Sequence, residues 1–167
     1  AGEEIGLLGS KYFVEHPLIP LKSIKFLLNL DLMGTGKDGA TLVNATKEPL
    51  FFNRLKQINA SDHYLTSLNE RDNAANSDHY WFTQKGVPAM FMYLLDSEYT
   101  YYHELNDSFN KLPLSKFDAT QDLLIAFFKS LSNDYPRAAA IANPIPEPVK
   151  PETKSNVKTH SRPKSNR

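Results

Sequence analysis

The chain contains no cysteine, which excludes disulfide frameworks, thiolate metal sites and cysteine nucleophiles together. Long hydrophobic runs are also missing. The longest, Ala89 to Leu95, is far shorter than the roughly 20 residues a membrane-crossing helix requires, so no membrane span is expected. Neither sign of charge is in excess. Nineteen Lys and Arg offset 19 Asp and Glu, an even balance that argues against a uniformly basic nucleic-acid binder, and no nucleic-acid partner is expected. Glycine is scarce, at 7 of 167 residues, and three of the seven crowd into Gly34, Gly36 and Gly39. That loop lacks the spacing of a P-loop and reads as a plain turn. What the chain does have is 41% hydrophobic and 11% aromatic residues. This suffices for one globular domain with a real core and rules out a wholly disordered chain.

The even charge is an average of two unlike parts. Residues 144–167 hold five of the eleven prolines, six Lys and Arg and two Glu, a net charge of +4, which leaves −4 on residues 1–143. Beyond Val149 and Val157 the segment has almost nothing to bury. Residues 144–167 are therefore expected to form a disordered, basic, proline-rich tail behind a folded part spanning 1–143.

Hydrophobic periodicity gives the folded part alternating helices and strands. Gly6 to Glu15 has helical spacing through Leu7, Leu8, Tyr12 and Phe13, and Pro17 and Pro20 end it. Ile24 to Leu30 is nearly continuous in apolar residues, the pattern of a strand covered on both faces. Thr41 to Asn44 reads as a brief strand or an edge, and Lys47 to Asn59 as a helix with Leu50, Phe51, Leu55 and Ile58 on one stripe. His63 to Leu68 alternates weakly like a strand, Asp78 to Lys85 is a short helix, and Val87 to Leu95 a second buried strand. Leu114 to Leu131 carries the wide apolar face of a long helix. The alternation predicts an α/β three-layer sandwich with a mostly parallel central sheet.

In such sheets chemistry gathers at the carboxyl ends of strands. Asp31 follows the first strand. The loop Asp96 to Tyr102, acidic and aromatic, follows the last and leads to His103. Glu3 and Glu4 stand before a helix, where the end of a preceding strand would lie. Carboxylates and an imidazole without sulfur suit zinc in an open, catalytic coordination, or manganese and cobalt.

Four motifs carry a resemblance. Glu3-Glu4-Ile5-Gly6-Leu7-Leu8-Gly9-Ser10, then Asn29-Leu30-Asp31-Leu32-Met33-Gly34, then Ser77-Asp78-His79 with Phe82, Gly86, Val87, Pro88 and Ala89, then Tyr102-His103, resemble in order the motifs of the di-zinc aminopeptidases. Glutaminyl cyclase and glutamate carboxypeptidase-like proteins are relatives in that family. The resemblance runs from residue 2 to about 131 and leaves the tail without a counterpart. It implies that Glu3 is the general acid and base, that Glu4 and His103 bind one zinc, and that Asp31 binds the other. Tyr102 matches a position that in some members donates a hydrogen bond to the developing oxyanion, and Asp78 and His79 match a motif near the metals that does not coordinate them. The implied activity is metal-dependent hydrolysis of amino-terminal peptide bonds on substrates with a free amino terminus. Glutaminyl cyclisation and a metal-free binding module are the alternatives.

The sequence departs from the family in one respect. Members draw a further His, a metal-bridging Asp and the first strands of the sheet from a segment before the Glu pair, and none of these is in the chain. His16, His63 and His160 do not replace them. The resemblance therefore implies a carboxy-terminal portion, cut at Gly2-Glu3-Glu4 through an active site. Such a portion is expected to hold one zinc or none where the family holds two, and to be weak or inactive alone. Its open sheet would be covered by the absent amino-terminal segment or by another chain. A secreted, periplasmic or other cell-envelope location is the expectation for the family.

Overall fold

The structure, a computed structural model, describes residues 2–134. The tail at 144–167 and the boundary at 143 lie outside the described residues. In chain order the elements are α1 (Leu8–Glu15), a 3-10 turn (Leu21–Ser23), β1 (Leu27–Leu30), β2 (Gly39–Val43), α2 (Pro49–Asp62), β3 (Leu68–Arg71), α3 (His79–Gln84), β4 (Ala89–Leu95), a second 3-10 turn (Phe109–Lys111) and α4 (Phe117–Asp134).

The strands form one sheet in the order β1-β4-β2-β3. β1 runs parallel to β4 and β2 parallel to β3, but β2 and β4 are antiparallel, so the sheet is mixed rather than mostly parallel. The short link between β1 and β2 explains this. Residues 31–38 contain no helix, and a parallel return needs a crossover of a dozen residues or more. β2 therefore runs back against the direction of β1. Between β2 and β3 the chain has room for α2, and that pair is parallel.

Side chains alternate across β4 and divide the molecule into layers. Met90, Met92 and Leu94 face Leu42, Ala40, Phe51, Phe52, Leu55, Leu123 and Phe127, a buried cluster built from the sheet, α2 and α4. Phe91 points to the other side, where the His79 ring of α3 lies 5.6 Å away and α3 in turn packs on α1. The expected three-layer sandwich is present.

Three strands differ from expectation. β1 begins at Leu27 because Ile24 closes the preceding 3-10 turn, its N–H donating to the Leu21 carbonyl. It is half-buried rather than covered, since β4 is its sole partner among the described residues. β2, read as brief or as an edge, is fully buried between β4 and β3. The strand expected at His63 to Leu68 instead occupies Leu68–Arg71. His63 takes a left-handed conformation at the end of α2, and Asn59 holds the turn by accepting from the Leu65 N–H (2.8 Å) and donating to its carbonyl (3.0 Å). No helix among the described residues is long and apolar enough to cross a membrane.

Candidate active site

A cavity of about 320 Å³ opens beside the end of β1, lined by Glu3, Glu4, Asp31, Leu32, Arg71, Asn76, Phe91, Tyr93, Tyr102 and His103. Glu3, Glu4, Asp31, Tyr102 and His103, chosen from sequence, thus share one space although they come from three distant stretches of chain.

Each is delivered by local backbone structure. Glu3 and Glu4 sit in a tight turn before α1, where the Glu3 carbonyl accepts from the N–H groups of Gly6 and Leu7 at 3.1 and 2.9 Å. Asp31 follows β1 directly. Its N–H donates to the Met92 carbonyl (3.3 Å), and its Oδ1 accepts from the Leu32 N–H (2.8 Å). Its Oδ2 accepts from the Ser77 hydroxyl at 3.4 Å, while Ser77 Oγ accepts from the Asn29 amide at 2.7 Å. His103 is held in the left-handed region at φ 61°, with its ring edge-on to Tyr102 at 4.1 Å.

The charges act on one another. Partial desolvation raises the proton affinity of the Glu3 carboxyl, and the carboxylates of Glu4, Asp31 and Asp78 raise it further against the opposing pull of His103. The Tyr102 hydroxyl is likewise pushed up by burial and then by Asp31, Glu4, Glu3 and Tyr93, so it remains a hydrogen-bond donor.

Asp78 and His79 lie outside the cavity lining. Asp78 accepts a 2.7 Å bond from Ser10 in α1. His79 is fully buried, its Nε2 stands 3.2 Å from Asn73 Oδ1, and burial lowers its pKa to about 4. Within this motif it is Ser77 that reaches Asp31, a residue passed over in favour of its two titratable neighbours. Arg71 and Asn76 also line the cavity without having been singled out. The signal for Arg71 lies in strand register alone.

The donor set fits zinc in kind, with carboxylate oxygens and an imidazole nitrogen and no thiolate. It does not fit in arrangement: among the described residues no group of three or more His, Cys, Asp or Glu side chains is placed to hold a metal ion.

A second hollow, about 640 Å³, follows the open flank of β1 and is lined by Leu30, Met33, Leu124, Ile125 and Phe128 among others. Leu30, Phe117, Ile125 and Phe128 are all exposed along it.

Comparison with known proteins places the fold. A zinc aminopeptidase from Bacillus subtilis superposes with a TM-score of 0.66 at 23% identity, covering 78% of this chain and 34% of its own. An aminopeptidase of Legionella pneumophila gives 0.59 at 24%, over 78% and 37%. A glutaminyl cyclase from an Acidobacteriales bacterium gives 0.59 at 21%, over 77% and 46%. The chain thus spans about a third of the length of the solved aminopeptidases and under half that of the cyclase, and at these identities the likeness establishes the fold. No curated protein matches. The sequence model of peptidase family M28 matches residues 1–128, and the chain belongs to that family.

Proposed function

We propose that this chain is the part of a zinc-dependent aminopeptidase that carries its proton-transfer carboxylate and some of its metal ligands. The observation that carries the reading is the single cavity shared by Glu3, Glu4, Asp31, Tyr102 and His103. In this proposal Glu4 and His103 would hold one zinc and Asp31 would serve a second once further ligands complete the site, and the bound metal would supply Lewis-acid activation of water at near-neutral pH. Glu3 takes the proton from the attacking water and passes it to the departing amine, which leaves poorly unless protonated. Its raised proton affinity suits both halves of that transfer. The protonated Tyr102 hydroxyl donates to the oxyanion. Asp78 and Ser77 act behind these groups, Asp78 by its charge on Glu3 and Ser77 by its bond to Asp31.

Because the donors do not converge, the chain alone is proposed to bind one zinc or none and to hydrolyse weakly or not at all. The amino-terminal segment of a longer protein, or another chain, would complete the ligands and cover the apolar flank of β1. The test is Glu3→Gln in the longest form of the protein that hydrolyses an aminoacyl-anilide. Turnover should fall by about 100-fold or more with zinc content unchanged, and unaltered turnover would refute the assignment. Activity of the isolated chain equal to that longer form would refute its incompleteness. The cyclase neighbour supports a second reading, acyl transfer on amino-terminal glutamine, and release of ammonia from a glutaminyl peptide without hydrolysis would favour it.

A further inference from the structure

The walls of the cavity differ in charge. Asp31 stands at the end of β1, with Glu3 and Glu4 beside it, whereas Arg71 is the last residue of β3. Strand register fixes where Arg71 points. It pairs with Val43, Val43 with Phe91, and Phe91 with Asn29. Directly paired residues share a face of the sheet, so Arg71 rises on the face that presents Phe91 and Tyr93 to the cavity. Three strand spacings of about 4.8 Å separate β3 from β1, or roughly 14 Å between the backbones. Among the described residues the two ion pairs are Lys37–Glu98 and Arg54–Asp134, so Arg71 enters none. An arginine presents a planar fork of donors that matches a carboxylate at two points.

We infer that Arg71 makes this cleft selective for short peptides with both ends free: the acidic side takes the amino group and the Arg71 guanidinium takes the terminal carboxylate. The inference rests on the proposed aminopeptidase reading for the placement of the amino end, and goes beyond it in naming peptide length and the group read at the far end. Length follows from reach. An extended residue spans at most about 3.6 Å, so a di- or tripeptide covers about 7–11 Å, and the arginine side chain bridges the remainder of the distance from β3. The cavity of about 320 Å³ has room for a ligand of that size. A longer peptide carries its carboxylate past the fork, and a carboxamide offers it no charge.

Binding tests this without turnover. The chain, at fixed zinc concentration, is titrated calorimetrically with the ketomethylene isostere of alanyl-alanine and with the matching carboxamide. The acid is expected to bind at least tenfold more tightly. Arg71→Gln should abolish the difference, and Arg71→Lys, which keeps the charge and loses the fork, should retain part of it. Equal binding of acid and amide by the wild type, binding of neither, or an undiminished preference in folded Arg71→Gln would each overturn the inference. If Arg71→Gln does not fold, the wild-type preference and its narrowing in Arg71→Lys decide. Discrimination through Arg71 without cleavage of alanyl-alanine by any longer form would sink the hydrolytic reading and leave this one standing. Cleavage of alanyl-alanine and its amide at equal kcat/KM would do the reverse.

Discussion

Gly39→Ala should be among the most damaging single-methyl additions in the molecule. Gly39 opens β2 at φ 99°, and a Cβ there would lie 2.3 Å from the Ser67 carbonyl oxygen and 2.7 Å from its backbone nitrogen. That oxygen accepts the Ala40 N–H at 2.9 Å, where β2 meets the segment leading into β3. The methyl group must push Ser67 away and break this bond. Positive φ costs an L-residue about 1–2 kcal/mol, and stranding a buried backbone donor costs about 1–3 kcal/mol more. The expected loss is about 2–5 kcal/mol, against a total stability of about 5–15 kcal/mol for a typical domain. Gly86→Ala is the control, because Gly86 also has positive φ (74°) but nothing within 4 Å of an added Cβ. It should lose about 1–2 kcal/mol from backbone strain alone. Urea unfolding followed by far-ultraviolet circular dichroism separates the two, and thermal melts should differ by about 4 °C for each kcal/mol. If the two variants agree to within about 0.5 kcal/mol, the scatter of ordinary surface substitutions, the close approach of Ser67 does not constrain the entry to β2.

Acid should weaken the fold through His79, whose pKa falls from 6.5 to about 4 on burial. Its neutral form contributes stability fully above about pH 6.5, and that contribution is lost as pH falls toward 4. Urea midpoints between pH 7.5 and 4.5 should decline less in His79→Gln than in the wild type, and parallel declines would exclude His79 as the cause. Phe127→Ala, which empties a fully buried site between α4 and the sheet, should cost about 3–5 kcal/mol in the same assay. A loss below about 1 kcal/mol would mean that the α4 face does not close the core.

Much of this was legible because the residues obey local rules. The stripe Leu123, Leu124, Phe127, Phe128 and Leu131 forecast the buried face of α4, although Phe128 stays exposed, and the run Val87 to Leu95 forecast a buried strand that occupies Ala89–Leu95. Glu3, Glu4 and Asp31 were legible because they sit just before a helix or just after a strand, whereas Tyr102 and His103 lie at the far end of the loop that leaves β4 and were legible through their motif. Strand identity failed where tertiary structure overrode local pattern. Thr41 to Asn44 reads as a brief strand or an edge, yet β2 lies between two neighbours, and Gly39 at its start admits the close approach of Ser67 because it carries no side chain. The direction of β2 was recoverable from the helix-free link at 31–38, a cue outweighed by the general alternation of helices and strands. Arg71 was not recoverable. On sequence it is a charged residue at the end of a weak strand, and only the pairing through Val43 and Phe91 carries it to the cavity.

The strand order also governs when the cleft can exist. Among the described strands β1 comes earliest in the chain, yet its described partner β4 comes last, with Leu27 registered against Ala89. Contacts that close such long loops form slowly compared with local ones. During synthesis Glu3, Glu4 and Asp31 leave the ribosome well before Met92, Tyr102 and His103. Among the described residues the acidic side therefore has no facing wall until β4 docks, so the cleft closes in one late step.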